Sequence, residues 1–200
     1  MEAIVFADVT DPWAYVGATR FERAAATFTI ISGEPVDIVL RASLQAGGDV
    51  ASDPEFLNAR VTAAALKSGI DLNFADLVPA ESFDAWRLLT WAAEFGPTTQ
   101  RDLAHQLWRA HFLEGADVGD PMVLSARAAI VGLDLETAEA LLASNEYGEA
   151  VRAQAEAARS VGVTHLPHVV VDTQWALAGI RTQNEYVQAL HRISVGEAPD

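Results

Sequence analysis

Cysteine is absent from the 200 residues, so the chain can form no disulfide, no thiolate metal site and no thiol nucleophile of its own. Lysine is nearly absent as well: Lys67 stands alone, and every other basic residue is an arginine. With 28 acidic against 13 basic residues the formal charge is −15, a field that repels a phosphate backbone or an anionic bilayer. Nucleic acid and acidic membranes are therefore excluded as natural partners. No stretch approaches the roughly 18 apolar residues of a membrane span. An apolar run starting at Ala3 leaves no space for a basic segment followed by a signal core, so the expectation is a soluble cytoplasmic protein. What remains is a globular composition, 50% hydrophobic and 20% charged, in a chain long enough to bury a sizeable core.

The hydrophobic pattern divides the chain in three. Ala3 to Ala7 reads as a short buried strand. After it, Trp13, Val16 or Gly17, Phe21, Ala24 and Phe28 recur at helical spacing and predict an amphipathic helix of about four turns. Ser32-Gly33-Glu34-Pro35 is a turn, and Val36 to Leu40 a second strand. Strand, long helix and strand make a βαβ unit. From Ala51 to Gly162 the pattern is helical throughout, with helices predicted near 54–68, 82–95, 98–114, 121–131, 135–144 and 146–161. Asp53-Pro54 and Asp120-Pro121 supply cap-and-first-turn signals. Gly69, Gly96, Gly115, Gly132 and Gly162 stand just past five of the helices, where a left-handed cap residue is usually glycine. From His165 the chain returns to β: His168 to Asp172 and Trp175 to Ala178 suggest an antiparallel hairpin. Thr182-Gln183-Asn184-Glu185 then has capping-box spacing before a last helix reaching about Ile193.

The first strand runs directly into Asp11-Pro12-Trp13-Ala14. Asp11 is a good N-cap and Pro12 suits the first helical position, whose N–H has no intrahelical partner. A strand feeding such a helix aims backbone N–H groups at whatever lies above the turn, which makes this the first place to look for chemistry. Asp11 reads either as a cap, worth about 1 kcal/mol, or as a ligand contact above the helix start. Trp13 and Tyr15 read either as packing aromatics or as walls of a pocket. No metal site is expected. His105 and His111 are separated by about 240° around their helix, and His165-x-x-His168 supplies two ligands at most. Glu114 to Asp120 lacks the alternating ligands of a calcium loop and reads as a loop and helix cap.

The order βαβ, many helices, ββα, together with five segments, resembles the DsbA-like thioredoxin fold in its FrnE-type, dithiol-disulfide isomerase branch. The segments are Phe6 to Gly17 (FADVTDPWAYVG), Phe83 to Leu89 (FDAWRLL), Phe112 to Asp120 (FLEGADVGD), Gly162 to His168 (GVTHLPH) and Trp175 to Ile180 (WALAGI). The resemblance implies an α/β thioredoxin fold formed by residues 1–50 and 163–200, with an all-helical insertion at 51–162. It also implies that Asp11 and Ala14 hold the positions of the two redox cysteines, and that Leu166-Pro167 is the cis-proline step facing them. In this fold the loop before that step offers backbone groups to an extended, peptide-like ligand. Trp86 stands where the family pattern has histidine, and His165 and His168 flank the proline where small and apolar or aromatic residues are usual.

Loss of both cysteines removes dithiol-disulfide exchange, because the attacking species must be a thiolate. The ligand-binding expectation is thus Asp11, Pro12, Trp13, Trp86, Leu166 and Pro167, forming a cleft for a small thiol, a peptide or an acidic metabolite. His165 and His168, opposite Asp11, are candidate acid–base groups. A related branch, 2-hydroxychromene-2-carboxylate isomerase and kappa-class glutathione transferases, places serine before the proline, and there a bound thiol supplies the sulfur. Asp11 differs: a charged carboxylate weakens thiol activation, and a cap whose charge is stabilised is a poor base at neutral pH. A low-molecular-weight thiol is the one cofactor the resemblance suggests. A glutathione- or other cofactor-thiol-dependent isomerase or transferase is the alternative enzyme reading. A non-catalytic protein-interaction module is the alternative from another class, and a homodimer is compatible with any of them.

Overall fold

The computed structural model describes residues 1–44 and 54–199. A four-stranded sheet has the order β2-β1-β3-β4, built from β1 (Glu2–Ala7), β2 (Asp37–Ala42), β3 (His168–Val171) and β4 (Trp175–Ala178). β1 and β2 are parallel, with Ile4 opposite Val39. β3 is antiparallel to both of its neighbours, with Val5 opposite Val169 and Val169 opposite Leu177. Helix α1 (Pro12–Ser32) connects β1 to β2, and α8 (Gln183–Ser194) follows β4. Between β2 and β3 come α2 (Pro54–Leu66), α3 (Phe83–Ala92), a 3-10 turn at Ala93–Phe95, α4 (Pro97–Phe112), α5 (Pro121–Ile130), α6 (Leu135–Ala143) and α7 (Gly148–Ser160). Among the described residues no helix is long and apolar enough to cross a membrane.

Several element ends differ from the spacing-based expectation. α1 has 21 residues, well over the four turns predicted, because the helix continues past its apolar stripe with Ile30 and Ile31 on the outside, 85% and 70% exposed. It stops at Gly33, whose φ of 76° lets its N–H reach back to the Thr29 carbonyl. β2 therefore starts later and runs to Ala42. α3 ends at Ala92, where the chain tightens into the 3-10 turn before Gly96 and Pro97. α4 ends at Phe112 and α7 begins at Gly148. The five cap glycines all have positive φ, and the Thr182–Glu185 capping box is complete in both directions. The cap expected at Asp53 lies outside the described residues.

The core carries the sheet onto both helical layers. Phe21 and Tyr186 meet edge to face, 5.2 Å apart, and join α1 to α8. On the other side Tyr15 stacks on Trp108 at 5.4 Å and on Phe112 at 6.3 Å, joining α1 to α4. Trp86 and Trp108 are fully buried. The start of α1 is thus held between the sheet and the α3/α4 pair.

Candidate functional site

β1 ends at Ala7, and the next residue, Asp8, is only 4% exposed. Its carbonyl accepts from the indole Nε1 of Trp108 at 3.2 Å and from the Asp11 N–H at 3.3 Å. Its carboxylate accepts from Thr10, through N–H and hydroxyl, both at 3.4 Å. Three residues on, Asp11 caps α1: its Oδ1 accepts from the Ala14 N–H at 2.7 Å, and Pro12 opens the helix. Two carboxyl groups therefore sit together at the strand-to-helix turn. Burial raises the pKa of Asp8, opposed by the Ser82 hydroxyl, the Thr10 N–H and the Trp86 indole N–H. Trp86 faces that carboxylate without completing a hydrogen bond of good geometry, and its Nε1 is buried with no partner. Burial also pushes Asp11 up to about 6; the Ala14 N–H opposes the rise and the Asp8 charge adds to it.

That value corrects the sequence-based expectation of a cap carboxylate with a stabilised charge and an ordinary pKa. One strong N–H bond lowers the pKa, but loss of water around a half-buried carboxyl beside a second carboxyl outweighs it.

The Leu166–Pro167 peptide is cis. Pro167 lies directly on α1, where a Cβ built on Gly17 would fall 2.2 Å from Pro167 Cγ and 2.6 Å from Cδ. Only glycine lets the proline ring come so close to the helix backbone. The Pro167 carbonyl accepts from the Gly179 N–H at 2.9 Å, which ties the loop to the end of β4. Ala14 is completely buried, while Pro12 and Trp13 are half-buried. The structure thus brings the Asp11 turn, through its own helix, against the Pro167 loop, and sets Trp86 behind the turn against Asp8.

The two histidines are placed elsewhere. His165 is exposed and its Nδ1 bonds the neighbouring Thr164 hydroxyl at 3.0 Å. His168 opens β3, is 6% exposed, and packs edge-on against Phe6, its cross-strand partner; burial lowers its pKa. Among the described residues neither is hydrogen-bonded to Asp11, so the expected Asp–His pair is not formed. His105 instead meets Glu22 at 2.9 Å, and His111 is buried against Phe112. In the 114–120 loop Glu114 pairs with Arg109 and Arg127, and Asp120 caps α5 through the Met122 N–H.

Two features of the site escape a reading for motifs. Asp8 is one: its signal is a carboxylate at the buried end of an apolar strand, three residues before a capping Asp. The other is a cavity of about 410 Å³ beside Trp13, between α1, α2 and the start of α8. Arg20, Arg60, Lys67 and Arg181 reach it from separate parts of the chain.

The model of the DSBA-like thioredoxin domain matches residues 3–191. The chain belongs to the DSBA-like thioredoxin domain family. Similar solved structures include the Streptomyces coelicolor protein SCO1869, a probable DsbA oxidoreductase, at 28% identity and TM-score 0.85, covering 100% of this chain and 92% of that one. The cytosolic disulfide reductase DsbM of Pseudomonas aeruginosa, in its structure with GSH, is 16% identical with TM-score 0.70, covering 98% and 100% of the two chains. A 2-hydroxychromene-2-carboxylate isomerase is 17% identical with TM-score 0.69, covering 98% and 95%. No curated protein sequence matches the chain. Within this DsbA-like fold, the turn that joins β1 to α1 carries Asp11 and Ala14, and the helix it opens packs through Gly17 against the cis-proline loop.

Proposed function

We propose that this DsbA-like chain is a FrnE-type, cysteine-less protein of the cytoplasm that binds a small thiol or thiol-bearing peptide at the cleft between Asp11 and Pro167, and that it carries out no dithiol-disulfide exchange of its own. The observation that carries this reading is the tight seating of the Pro167 loop on Gly17 beside a turn with no sulfur. The ligand-presenting frame is kept, and any sulfur at it must come from the ligand. The likeness to DsbM, a cytosolic protein whose structure with GSH is known, supports a thiol and a cytoplasmic setting. In an insulin-reduction assay with dithiothreitol the protein is expected to run at background. Titration with glutathione to about 10 mM, a range that reports even weak binding, is expected to shift the backbone amides of Trp13 and Ala14. Turnover well above background, or unmoved amides, would overturn the proposal.

A second reading is favoured by Asp11 itself. A carboxyl with a pKa of about 6 can hold or release a proton near neutral pH. As a carboxylate it can take the proton of a bound thiol, and the carboxyl so formed donates to the thiolate instead of repelling it, which removes part of the objection to a cofactor-thiol-dependent isomerase. The likeness to 2-hydroxychromene-2-carboxylate isomerase fits that class. Here the bound thiol supplies the sulfur and Asp11 the proton. Asp11→Asn is then expected to abolish any glutathione-dependent isomerisation while leaving glutathione binding in place; a rate equal to wild type would end this reading.

A further inference from the structure

We propose that a cavity along the second half of α1, between that helix, the edge of β2 and the first turns of α4, is a binding site for a small zwitterion, an α-amino acid with an aliphatic side chain. The cavity has a volume of about 450 Å³, which suits a single small molecule. One carboxylate, Glu22 of α1, and one guanidinium, Arg101 of α4, line it. Glu22 stands three turns beyond the Asp11 cap, about 16 Å along the helix, so this site is separate from the cleft at the helix start.

The two charges line one cavity and do not pair with each other. Glu22 Oε2 is taken by His105 Nε2 at 2.9 Å, and Oε1 is buried with no partner. Arg101 donates through Nη1 to the Ile38 carbonyl at 3.1 Å and through Nη2 to the Thr98 hydroxyl at 3.4 Å. Both acceptors are neutral, and among the described residues Arg101 makes no ion pair. Helix α4 sets the spacing. Arg101 stands one turn before His105, the residue that holds Glu22, on the same helix face and about 6 Å along the axis. Opposite charges one turn apart, each anchored away from the other, match a ligand that carries both: its ammonium meets Glu22 and its carboxylate meets Arg101. A bare ammonium would leave Arg101 repelling it, and a bare anion would be repelled by the field of a chain carrying −15. A buried carboxylate oxygen without a donor is costly to leave so. An ammonium in the cavity supplies that donor with a small turn of the Glu22 side chain, which is 20% exposed. The remaining wall is apolar. It includes Ile30, largely exposed on α1, with Val36 just before β2 and Ile38 within it. An aliphatic side chain laid against Ile30 removes from water a surface that the fold itself leaves open.

L-Leucine is a suitable probe, compared with 4-methylpentanoate, which lacks the ammonium, 3-methylbutylamine, which lacks the carboxylate, and glycine, which lacks the apolar body. Calorimetry is expected to show leucine binding, with each of the other three about tenfold weaker or worse. Glu22→Gln, which keeps an acceptor for His105, is expected to erase the advantage of leucine over 4-methylpentanoate, and Arg101→Gln its advantage over 3-methylbutylamine. In the wild-type protein, where no substitution can disturb the fold, leucine is expected to shift the side-chain methyls of Ile30 and Ile38. No leucine binding up to about 10 mM, a singly charged analogue binding as tightly as leucine, binding that leaves both isoleucines unmoved, or preferences unchanged in both folded glutamine variants would each overturn the proposal. The site does not depend on a thiol reaching Asp11. If glutathione leaves the Trp13 and Ala14 amides unmoved while leucine shifts Ile30 and Ile38, the thiol reading fails and this one stands.

Discussion

Asp11 shows how one side chain can support a helix and weaken the fold at once. As a cap it satisfies the Ala14 N–H, worth about 1 kcal/mol. Its pKa of about 6 in the folded protein, against an ordinary 3.8, works the other way. Below pH 3.8 the carboxyl is protonated folded or unfolded, and the shift contributes nothing. Between 3.8 and 6 the folded chain keeps a proton that the unfolded chain loses, so stability falls as pH rises. Above 6 the loss is complete, about 3 kcal/mol for roughly two pH units. Asn retains the cap acceptor without the charge. Asp11→Asn is therefore expected to raise the melting midpoint at pH 7.5 by about 6–12 °C, with the gain vanishing near pH 4. His111 and His168, held below their ordinary 6.5 by burial, act in the opposite sense, losing stability as pH falls. The difference between wild type and variant across pH, not either curve alone, isolates Asp11. A difference that is flat or reversed in sign would refute the account. Gly17 gives a second test: Gly17→Ala drives a methyl into overlap with Cγ and Cδ of Pro167 and is expected to destabilise by about 2–3 kcal/mol, as overpacking does. An unchanged melting midpoint would show that the loop gives way freely.

At the scale of elements, the free edge of β2 is finished by side chains. The Gln100 amide, from α4, accepts from the Leu40 N–H at 2.9 Å and donates to the Leu40 carbonyl at 3.1 Å, as a neighbouring strand would. Gln154 accepts from the Ala42 N–H at 2.9 Å, and Arg101 donates to the Ile38 carbonyl at 3.1 Å. An open edge is a template for pairing with another chain. Gln100 is 1% exposed, so Gln100→Ala leaves buried backbone groups without partners, a loss of about 2–4 kcal/mol. Denaturant titration is expected to show that loss together with concentration-dependent association; a variant as stable and monodisperse as wild type would exclude the pseudo-strand role. Elements were legible in the sequence where local rules act alone. Asp11-Pro12, the Thr182 capping box and the five cap glycines each set an end through their own backbone chemistry. The extra length of α1 was not legible, because Ile30 and Ile31 interrupt the apolar pattern without breaking the helix. The cleft was half legible: the turn and the proline can be seen as motifs, but the Asp8 environment depends on Ser82, Trp86 and Trp108, brought in from distant helices. The cation-lined cavity left no local trace, since its four basic residues are spread from position 20 to position 181.

Over the whole molecule the dominant fact is charge. A formal −15 on 200 residues is a self-repulsion that the compact state feels more strongly than the unfolded chain, where the same charges lie farther apart. The surface pairs do little to offset it. Arg159–Glu156 and Arg109–Glu114 are largely solvated, and exposed pairs of this kind contribute about 0–1 kcal/mol each. The concentration of four cations around one cavity leaves the remaining surface still more acidic than the average suggests. Salt screens exposed charges, and the screening length falls from about 20 Å near 20 mM to about 4 Å near 500 mM. The melting midpoint at pH 7.5 is therefore expected to rise by several degrees over that range, with sodium and choline chloride giving the same curve. The rise should shrink as pH is lowered toward 5, where the carboxylates begin to take up protons and the repulsion being screened declines. A midpoint that falls with salt at pH 7.5 would mean that attractive pairs, not net repulsion, govern this fold. A rise that persists undiminished at pH 5 would point instead to salting-out of apolar surface such as Ile30, Ile31 and Met122, which are largely exposed.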